Sequence, residues 1–146
     1  FYEGITFSRV GEYAPTFRMD CSSVFDANSS KIKTTYLNLT HLLGIICSKI
    51  VKKIIKVYID HTVSSQIDDV KEIPIPININ ESLIKIVNKL INKQKKDPQY
   101  DYMSNEQKEI DKLVYEMYGL NEDDIREVET WYARRYPKLA RFCDIK

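Results

Sequence analysis

The chain has 146 residues, of which 43% are hydrophobic and 29% are charged, and this balance is typical of a globular protein. Its 22 basic residues nearly cancel its 21 acidic residues, so the formal net charge is +1. No overall excess of charge draws the chain to nucleic acid or to an anionic membrane, and any affinity for DNA must come from local groups.

The three cysteines, Cys21, Cys47 and Cys143, are scattered along the chain. Their number is odd, and neither a C-x-x-C pair nor a Cys/His spacing occurs, which argues against a disulfide framework and against a zinc site. We therefore expect a reducing, cytoplasmic environment. The chain starts at Phe1 without a basic leader, and we expect it to be part of a longer protein.

The longest apolar stretch, residues 42–59, does not have the character of a membrane-spanning helix. Lys49, Lys52, Lys53 and Lys56 interrupt it, whereas a spanning helix needs roughly 20 mostly apolar residues. We therefore expect no association with a membrane.

Short hydrophobic runs in the first third of the chain predict strands. Residues 5–7 and 13–17 lie among glycine, proline, serine and aspartate, a pattern typical of short twisted strands joined by turns. Segment 26–30 has the sequence Asp-Ala-Asn-Ser-Ser and predicts a loop, because such short polar side chains bond their own backbone.

A long helix is predicted next, from a cap at Asn38 or Thr40 to about Asp60. Its apolar positions recur at helical spacing and define a buried face made up of Leu43, Ile46, Cys47, Ile50, Ile54, Val57 and Tyr58. Four lysines fall on the opposite arc, namely Lys49, Lys52, Lys53 and Lys56. We expect this lysine stripe either to be exposed to solvent or to face DNA phosphates.

A polar stretch, residues 61–69, separates the long helix from a segment that contains two prolines. Pro74 and Pro76 remove two backbone donors from residues 72–77. This segment is therefore predicted to be an edge strand or an extended strap rather than a central strand.

Three helical patterns fill the last third of the chain. Their apolar positions are Leu83, Val87, Leu90 and Ile91 in the first, Ile110, Leu113, Val114 and Met117 in the second, and Ile125, Val128 and Tyr132 in the third. The boundary signals are a capping box of Ser104 with Gln107, Gly119 as a C′ residue, Asn121 as an N-cap and Pro137 beyond the last helix.

These elements predict an α+β fold, in which a small, twisted, mostly antiparallel sheet packs on the long helix and a C-terminal helical bundle follows. We expect two subdomains, an α+β subdomain of residues 1–80 and a helical subdomain of residues 81–146. The linker at 95–100 offers an alternative boundary, with an α+β part before it and a helical hairpin after it.

The chain carries no recognisable catalytic motif. A Gly-rich cofactor loop, a P-loop and a G-x-S-x-G motif are all missing from the sequence. His41, at a helix start, is expected to be a surface or capping residue, and His61 to complement a helix dipole. The acidic pairs 68–69 and 123–124 are better explained by helix or loop chemistry than by a metal site. We therefore expect no catalytic residue and no metal ligand in this chain.

Local polar groups provide the candidates for DNA binding. Arginine, glutamine and asparagine can read guanine or adenine edges through paired hydrogen bonds, whereas lysine supplies a point charge for phosphates. The candidates in the strand region are Arg9, Arg18, Asn28, Ser30, Lys31 and Lys33, those in the polar stretch are Ser64, Ser65 and Gln66, and those on the helix are Lys52 and Lys56.

An aromatic group near the C-terminus allows two interpretations. Trp131, Tyr132 and Tyr136, with Arg134 and Arg135 between them, could stack on bases or cations. We favour the alternative, in which the aromatic rings pack the last helix onto its neighbours and the arginines are left in solvent.

The order of segments resembles a known family. Residues 42–49, Leu-Leu-Gly-Ile-Ile-Cys-Ser-Lys, a polar stretch with Gln66, and residues 69–76, Asp-Val-Lys-Glu-Ile-Pro-Ile-Pro, are similar to the signature of target-recognition domains. Such domains occur in type I specificity subunits and in TaqI-like, Eco57I-like and type IIG methyltransferases. Cys47 stands where that family usually has asparagine, which puts a local hydrogen bond in doubt.

Residues 4–9, 23–30 and 111–125 also resemble the C-terminal regions of type IIG enzymes and of the methylase of BREX phage-defence systems. The resemblance implies a module that holds double-stranded DNA against the catalytic methyltransferase domain of a parent chain and reads the target sequence. It also implies that the parent methylates adenine at N6 with S-adenosylmethionine, and that this part holds no cofactor of its own.

Two alternatives remain open. A structural interaction module would hold domains or subunits of the parent together, and an exposed apolar helix face would favour it. A basic surface around Arg9, Arg18 and Lys31 would instead favour DNA reading. A nuclease is the weakest alternative, because no cluster of carboxylates and lysine on adjacent strands is evident.

Overall fold

The computed structural model of the chain describes residues 3–20 and 29–145. Within these ranges three short strands form one antiparallel sheet in the order β2-β1-β3, with β1 at Gly4–Ser8, β2 at Phe17–Asp20 and β3 at Ser29–Ile32. Ile5, Phe7 and Phe17 alternate with polar residues and are buried, so one face of the sheet packs on the core. The part of the predicted loop at 26–28 lies outside the described residues.

Helices make up most of the remaining described chain. They are α1 at Leu39–Ile46, α2 at Lys49–Ile54 with a π-helical turn at Ile55–Ile59, α3 at Ile67–Lys71, α4 at Glu81–Lys96, α5 at Glu106–Met117, α6 at Glu122–Arg135, and a 3₁₀ helix at Pro137–Phe142. The predicted α+β class, with a small antiparallel sheet followed by helices, is confirmed.

The predicted long helix is broken between Cys47 and Ser48. Ser48 is fully buried, and its hydroxyl donates to the Ile45 carbonyl oxygen at 2.6 Å. The backbone N–H of Lys49 donates to Oδ1 of Asp111 at 2.9 Å, because the break leaves this group without a helical partner. The prediction of one continuous helix was therefore wrong, and a carboxylate from α5 caps the new start.

The lysine stripe does not face solvent. Lys49, Lys53 and Lys56 are all at least nine-tenths buried, because α5, α6 and the loop after the π-helical turn cover this side of the central helix. Lys49 pairs with Glu129 at 2.8 Å, and Lys53 pairs with Glu127. The expectation of an exposed stripe available to phosphates is corrected for these three lysines, and Lys52 is half-buried.

One hydrophobic core draws on both predicted subdomains. Ile5 of the sheet, Leu43 of α1, Leu83 of α4 and Val114 of α5 all belong to it. Gly44 allows α1 and α4 to approach closely, since a Cβ at this position would lie 2.9 Å from side-chain atoms of both Leu83 and Val87. The predicted boundary after residue 80 coincides with the N-cap of α4.

Most of the predicted caps are present. Asn38 accepts from the N–H of His41, and Asn121 accepts from the N–H of Asp124, both at 2.9 Å. Gly119 ends α5 with φ of 69°, and the N–H of Leu120 donates to the carbonyl oxygen of Tyr115 at 3.1 Å, which is a Schellman arrangement. Pro137 begins the 3₁₀ helix beyond α6.

Two local predictions were wrong. Ser104 does not cap α5; its hydroxyl donates to Asp101 at 2.6 Å, and the helix begins after Asn105. His41, expected to be a surface or capping residue, is buried, and Asn38 caps α1 in its place. The Nε2 of His41 accepts from the N–H of Asn80 at 3.1 Å. His41 therefore joins the start of α1 to the start of α4.

The proline-containing segment is an extended strap without strand pairing. Ile73 anchors it in the core, and the hydroxyl of Tyr118 donates to the Pro74 carbonyl oxygen at 2.6 Å. The short helix α3 precedes the strap and was not predicted, because the sequence there is polar. No helix among the described residues is long and apolar enough to cross a membrane.

Candidate nucleic-acid interface

The structure distributes the predicted DNA-binding residues over three places. Four of them, Arg9, Ser64, Ser65 and Gln66, come together beyond the end of β1, and we call this group the loop cluster. The prediction of a DNA contact is corrected for Ser65, because its side chain is buried and bonds to Asp60. Ser30, Lys31 and Lys33 lie on or just after β3, and Arg18 and Lys52 line a groove. Asn28 lies outside the described residues.

Backbone pairing between two distant segments builds the loop cluster. After β1 the chain continues antiparallel to residues 63–65, with an isolated bridge between Val10 and Ser64. The N–H of Ser65 donates to the Arg9 carbonyl oxygen at 2.7 Å, and the N–H of Gly11 donates to that of Val63 at 2.8 Å. These bonds fix Arg9 beside the polar stretch that follows the central helix.

Arg9 and Gln66 form an exposed side-chain pair. Nη2 of Arg9 donates to Oε1 of Gln66 at 2.6 Å, and Nε2 of Gln66 donates to the Ser64 hydroxyl at 3.0 Å. The backbone N–H of Gln66 donates to Oδ2 of Asp69 at 2.5 Å, so the same residue also begins α3. Both ends of the Gln66 amide are therefore held while the residue stays open to solvent.

Asp60 organises the loop beneath this pair. Its buried carboxylate accepts from the N–H of Thr62 at 2.8 Å and from the hydroxyl of Ser65 at 3.4 Å. Its backbone N–H donates to the Ile55 carbonyl oxygen at 2.7 Å and so closes the π-helical turn. Burial alone would raise the pKa of Asp60, but the hydrogen bonds from Thr62 and the positive charge of Lys56 outweigh it and lower the pKa. The loop is thus held by an ionised carboxylate.

Lys56 is part of this support and does not lie on a phosphate-binding surface. Its side chain is only 7% exposed, and Nζ donates to the Thr62 carbonyl oxygen at 2.7 Å. Burial lowers the pKa of Lys56, and the charge of Asp60 acts in the opposite direction. The predicted phosphate contact at Lys56 is replaced by a bond that shapes the loop.

An aromatic stack connects the loop to α6. Tyr136 is sandwiched between Tyr13, at a ring-centroid distance of 4.9 Å, and Tyr132, at 4.4 Å. Tyr132 is buried, which confirms the packing interpretation for this ring. Arg135 lies over the Tyr13 ring at 5.4 Å and donates to the Glu12 carbonyl oxygen at 2.6 Å, so it is held at the surface instead of moving freely in solvent.

The strand β3 contributes less to a polar surface than predicted. Lys31 forms an ion pair with Asp20 at 3.2 Å, and its alkyl chain crosses Gly4, where a Cβ would lie 2.7 Å from Lys31 Cε. Ser30 is in register with Phe7 and so belongs to the core-facing side of the sheet. Lys33 follows the strand and is exposed.

The acidic pairs have structural partners. Asp68 pairs with Lys71 at 2.8 Å, and Asp123 with Arg126 at 3.0 Å. Asp69 and Asp124 cap the first turns of α3 and α6. Over the described ranges no group of three or more metal-ligating side chains is present.

The sequence did not reveal three of these features. The Arg9 to Gln66 pair spans 57 positions, and Arg135 meets Glu12 across 123 positions, so neither contact has a local signature. Asp60 carries one weak signal, because an aspartate directly after a helix and two residues before a threonine is typical of a turn that bonds its own backbone.

Comparisons with protein-family models, with curated proteins and with solved structures found no match to this chain.

Proposed function

We propose that this chain binds double-stranded DNA through the loop cluster and serves as the non-catalytic recognition module of an N6-adenine DNA methyltransferase. The observation that carries the proposal is the exposed, hydrogen-bonded pair of Arg9 and Gln66. Arginine and glutamine are the side chains that read guanine and adenine edges in the major groove.

The geometry supports base recognition because the side chains of Arg9 and Gln66 are already held by hydrogen bonds in the DNA-free chain. Gln66 is held by Arg9, by Ser64 and by its position at the start of α3, so little side-chain entropy is lost when it meets a base. Oε1 of Gln66 accepts one bond from Arg9 and keeps a second lone pair for an adenine amino group.

Positive charge near the loop cluster supports contacts to phosphates. Arg135 is exposed and lies over the Tyr13 ring, and its positive charge contributes to lowering the pKa of Lys56 beneath the loop. Such contacts position a protein on DNA without selecting a sequence. Because the net charge of the chain is only +1, we expect weak binding, and because the contacts to phosphates are electrostatic, we expect it to decrease as salt rises.

The proposed parent supplies the chemistry that this chain lacks. The segments that resemble target-recognition domains, 42–49 and 69–76, form the end of α1 with the Ser48 break, and α3 with the strap. Gln66 directly precedes α3. S-adenosylmethionine and the adenine pocket would belong to the methyltransferase domain of the parent chain.

One observation favours the alternative of a protein-interaction module. Three apolar side chains next to the loop cluster are exposed, with Val10 and Val63 each at 60% and Ile67 at 48%. Apolar groups at this position would suit a protein partner, although they could also contact thymine methyl groups.

Titration of a labelled DNA duplex distinguishes the two functions. We expect saturable binding at low salt that weakens as salt rises, and about a tenfold or greater loss for Gln66→Ala on the preferred sequence. Gln99→Ala is the matched control, because Gln99 is an exposed loop glutamine outside the cluster. Absence of binding at low salt, or equal losses for both variants, would contradict DNA recognition by the loop cluster and favour the interaction module.

A further inference from the structure

A groove of about 590 Å³ lies between β2, α1, α4 and the loop that leads into α5. It is separate from the loop cluster, and the proposed function does not use it. Its volume lies within the range of small-molecule sites, roughly 300–1,000 Å³.

The charged groups of the groove are mainly positive. Arg18, Lys52 and Lys95 line it, and the only carboxylate among the described lining residues is that of Glu3. Neither Arg18 nor Lys52 forms an ion pair with any described residue. The lining therefore complements a negatively charged ligand.

The ammonium group of Lys52 lies against two aromatic rings and not against a carboxylate. Its Nζ lies 5.4 Å from the centroid of the Tyr132 ring and 5.9 Å from that of Tyr136. Cation–π contacts fix the ammonium group without neutralising it. The charge of Lys52 acts to lower the pKa of Asp111, but Asp111 forms its ion pair with Lys49, at 3.7 Å.

Tyr102 adds a hydroxyl group to the cationic side of the groove. Arg18 and Tyr102 both line the groove. Burial raises the pKa of Tyr102, as does Cys47, whereas the positive charge of Arg18 lowers it. The hydroxyl of Tyr102 makes no hydrogen bond with a described residue. It is thus available to donate to a ligand bound by Arg18.

The rest of the lining contains both apolar side chains and side-chain amides. Leu43, Leu90, Ile91, Met103 and Ile110 provide the apolar part. Asn88, Asn92 and Gln94 of α4 provide donors and acceptors at its border. A planar ligand with apolar faces and polar edges fits this mixed lining better than a purely aliphatic chain does.

We propose that this groove binds a nucleoside monophosphate, with Arg18, Lys52 and the Tyr102 hydroxyl on the phosphate and the apolar wall against the base. A forked guanidinium and an ammonium group suit the several oxygens of a phosphate, and a phenol supplies one more donor. The same chemistry is present in a free nucleotide and in the 5′-terminal nucleotide of a DNA strand.

Isothermal titration of the chain with dAMP tests the proposal, with inorganic phosphate as a second probe. Saturable binding of dAMP is expected, tighter than that of phosphate. Arg18→Gln should weaken it about tenfold or more, because a hydrogen bond to a charged group is lost. Tyr102→Phe removes only one hydroxyl and should weaken binding by a smaller factor.

Lys89→Gln is the control, since Lys89 is an exposed lysine of α4 outside the groove, and it should leave binding unchanged. No binding of dAMP at millimolar concentration would overturn the proposal. So would equal affinity for phosphate and dAMP, or equal effects of Arg18→Gln and Lys89→Gln. Circular dichroism of each variant establishes that it is folded.

A short 5′-phosphorylated single strand distinguishes the two sources of the ligand. If it displaces dAMP, the site takes a strand end; if it does not, the site takes a free nucleotide. The test is independent of duplex recognition, because Gln66→Ala should leave dAMP binding unchanged. Loss of duplex binding in that variant would then leave the assignment of the groove intact.

Discussion

Lys49 and Glu129, which are 80 positions apart in the chain, form an ion pair of 2.8 Å in which each side chain is only 4% exposed. The hydroxyl of Tyr115 donates to the other oxygen of Glu129 at 2.7 Å, and Nζ of Lys49 also donates to the Phe142 carbonyl oxygen at 3.3 Å. This network joins α2, α5, α6 and the 3₁₀ helix, so the last third of the chain is attached to the central helix by buried charge.

Removing one partner of this pair should destabilise the protein strongly. Lys49→Met leaves the Glu129 carboxylate buried without its cation, and we expect a loss of about 3–5 kcal/mol in the free energy of unfolding. Urea denaturation followed by circular dichroism measures it. Lys71→Met is the control, because the Lys71 to Asp68 pair is exposed, and its denaturation midpoint should not change. Similar midpoints for the two variants would show that the buried pair is not important for stability.

Asp111 should make stability fall as the pH rises through the weakly acidic range. Burial raises its pKa to about 6 from the ordinary value of 3.8, while Lys49 acts against the shift. The folded state therefore holds the proton more tightly than the unfolded chain does, and this stabilisation is complete below about pH 4 and lost above about pH 6.

Asp111→Asn removes this titration, so the unfolding free energy of the variant relative to the native chain should increase with pH between about 4 and 7, by up to about 3 kcal/mol. Urea denaturation at a series of pH values measures the difference. A difference that is independent of pH would mean that Asp111 titrates normally. Asp68→Asn, at an exposed position, serves as the control for general effects of charge.

The two glycines Gly44 and Gly11 should respond in different ways to substitution by alanine. At Gly44 a Cβ would lie 2.9 Å from Leu83 and from Val87, so α1 and α4 must separate, and we expect a loss of about 1–3 kcal/mol. At Gly11 the nearest atom to a Cβ is 4.0 Å away, so Gly11→Ala should be neutral or slightly stabilising. Thermal unfolding of both variants checks the prediction, and an unchanged melting temperature for Gly44→Ala would refute it.

The interactions that could be predicted from the sequence are short in range. The caps at Asn38 and Asn121 bond to a group three positions away, and the Gly119 motif closes between Leu120 and Tyr115, five positions apart. Hydrophobic periodicity likewise identified Leu83 and Val114 as buried. Each of these signals is complete within a few residues.

The lysine stripe shows why longer-range features could not be predicted. On a single helix, four lysines opposite an apolar face are typical of a solvated surface. The carboxylates that pair with two of these lysines, Glu129 with Lys49 and Glu127 with Lys53, belong to α6, which looks amphipathic and charged by itself. The break at Ser48 depends in the same way on Asp111, which is 62 positions from its partner Lys49.

Asp60 should support DNA binding without contacting DNA. Its carboxylate holds Thr62 and Ser65 in place, so Asp60→Asn should loosen residues 61–66 and weaken duplex binding by about three- to tenfold, while the core remains folded. Hydrogen exchange of the Thr62 and Ser65 amides provides the structural measurement. Unchanged exchange of these amides together with weakened DNA binding would instead indicate a direct contact between Asp60 and DNA.

The stabilisation that Asp60 gives should depend on pH. Because the pKa of Asp60 is lower in the folded state than in the unfolded chain, this stabilisation is present above the unfolded pKa and is lost as the pH falls below about 4.

Arg9 and Gln66 should act on DNA as one unit. Nη2 of Arg9 donates to Oε1 of Gln66 at 2.6 Å, so Arg9 positions the Gln66 side chain. Replacing either residue by alanine should therefore reduce discrimination at the same base pair. The double variant should then lose less binding free energy than the sum of the two single variants, with a coupling of about 0.5–3 kcal/mol. Duplex titrations against a library of variant sites measure both quantities.

Arg126→Ala combined with Gln99→Ala provides the matched control, because these two exposed residues lie outside the loop cluster and make no contact with each other among the described interactions. If the effects of Arg9→Ala and Gln66→Ala are additive and fall on different base pairs, each side chain reads DNA independently and the pair is not a unit. If neither variant changes the sequence preference while binding persists, the contact to DNA lies elsewhere on the chain, and the loop cluster is scaffold.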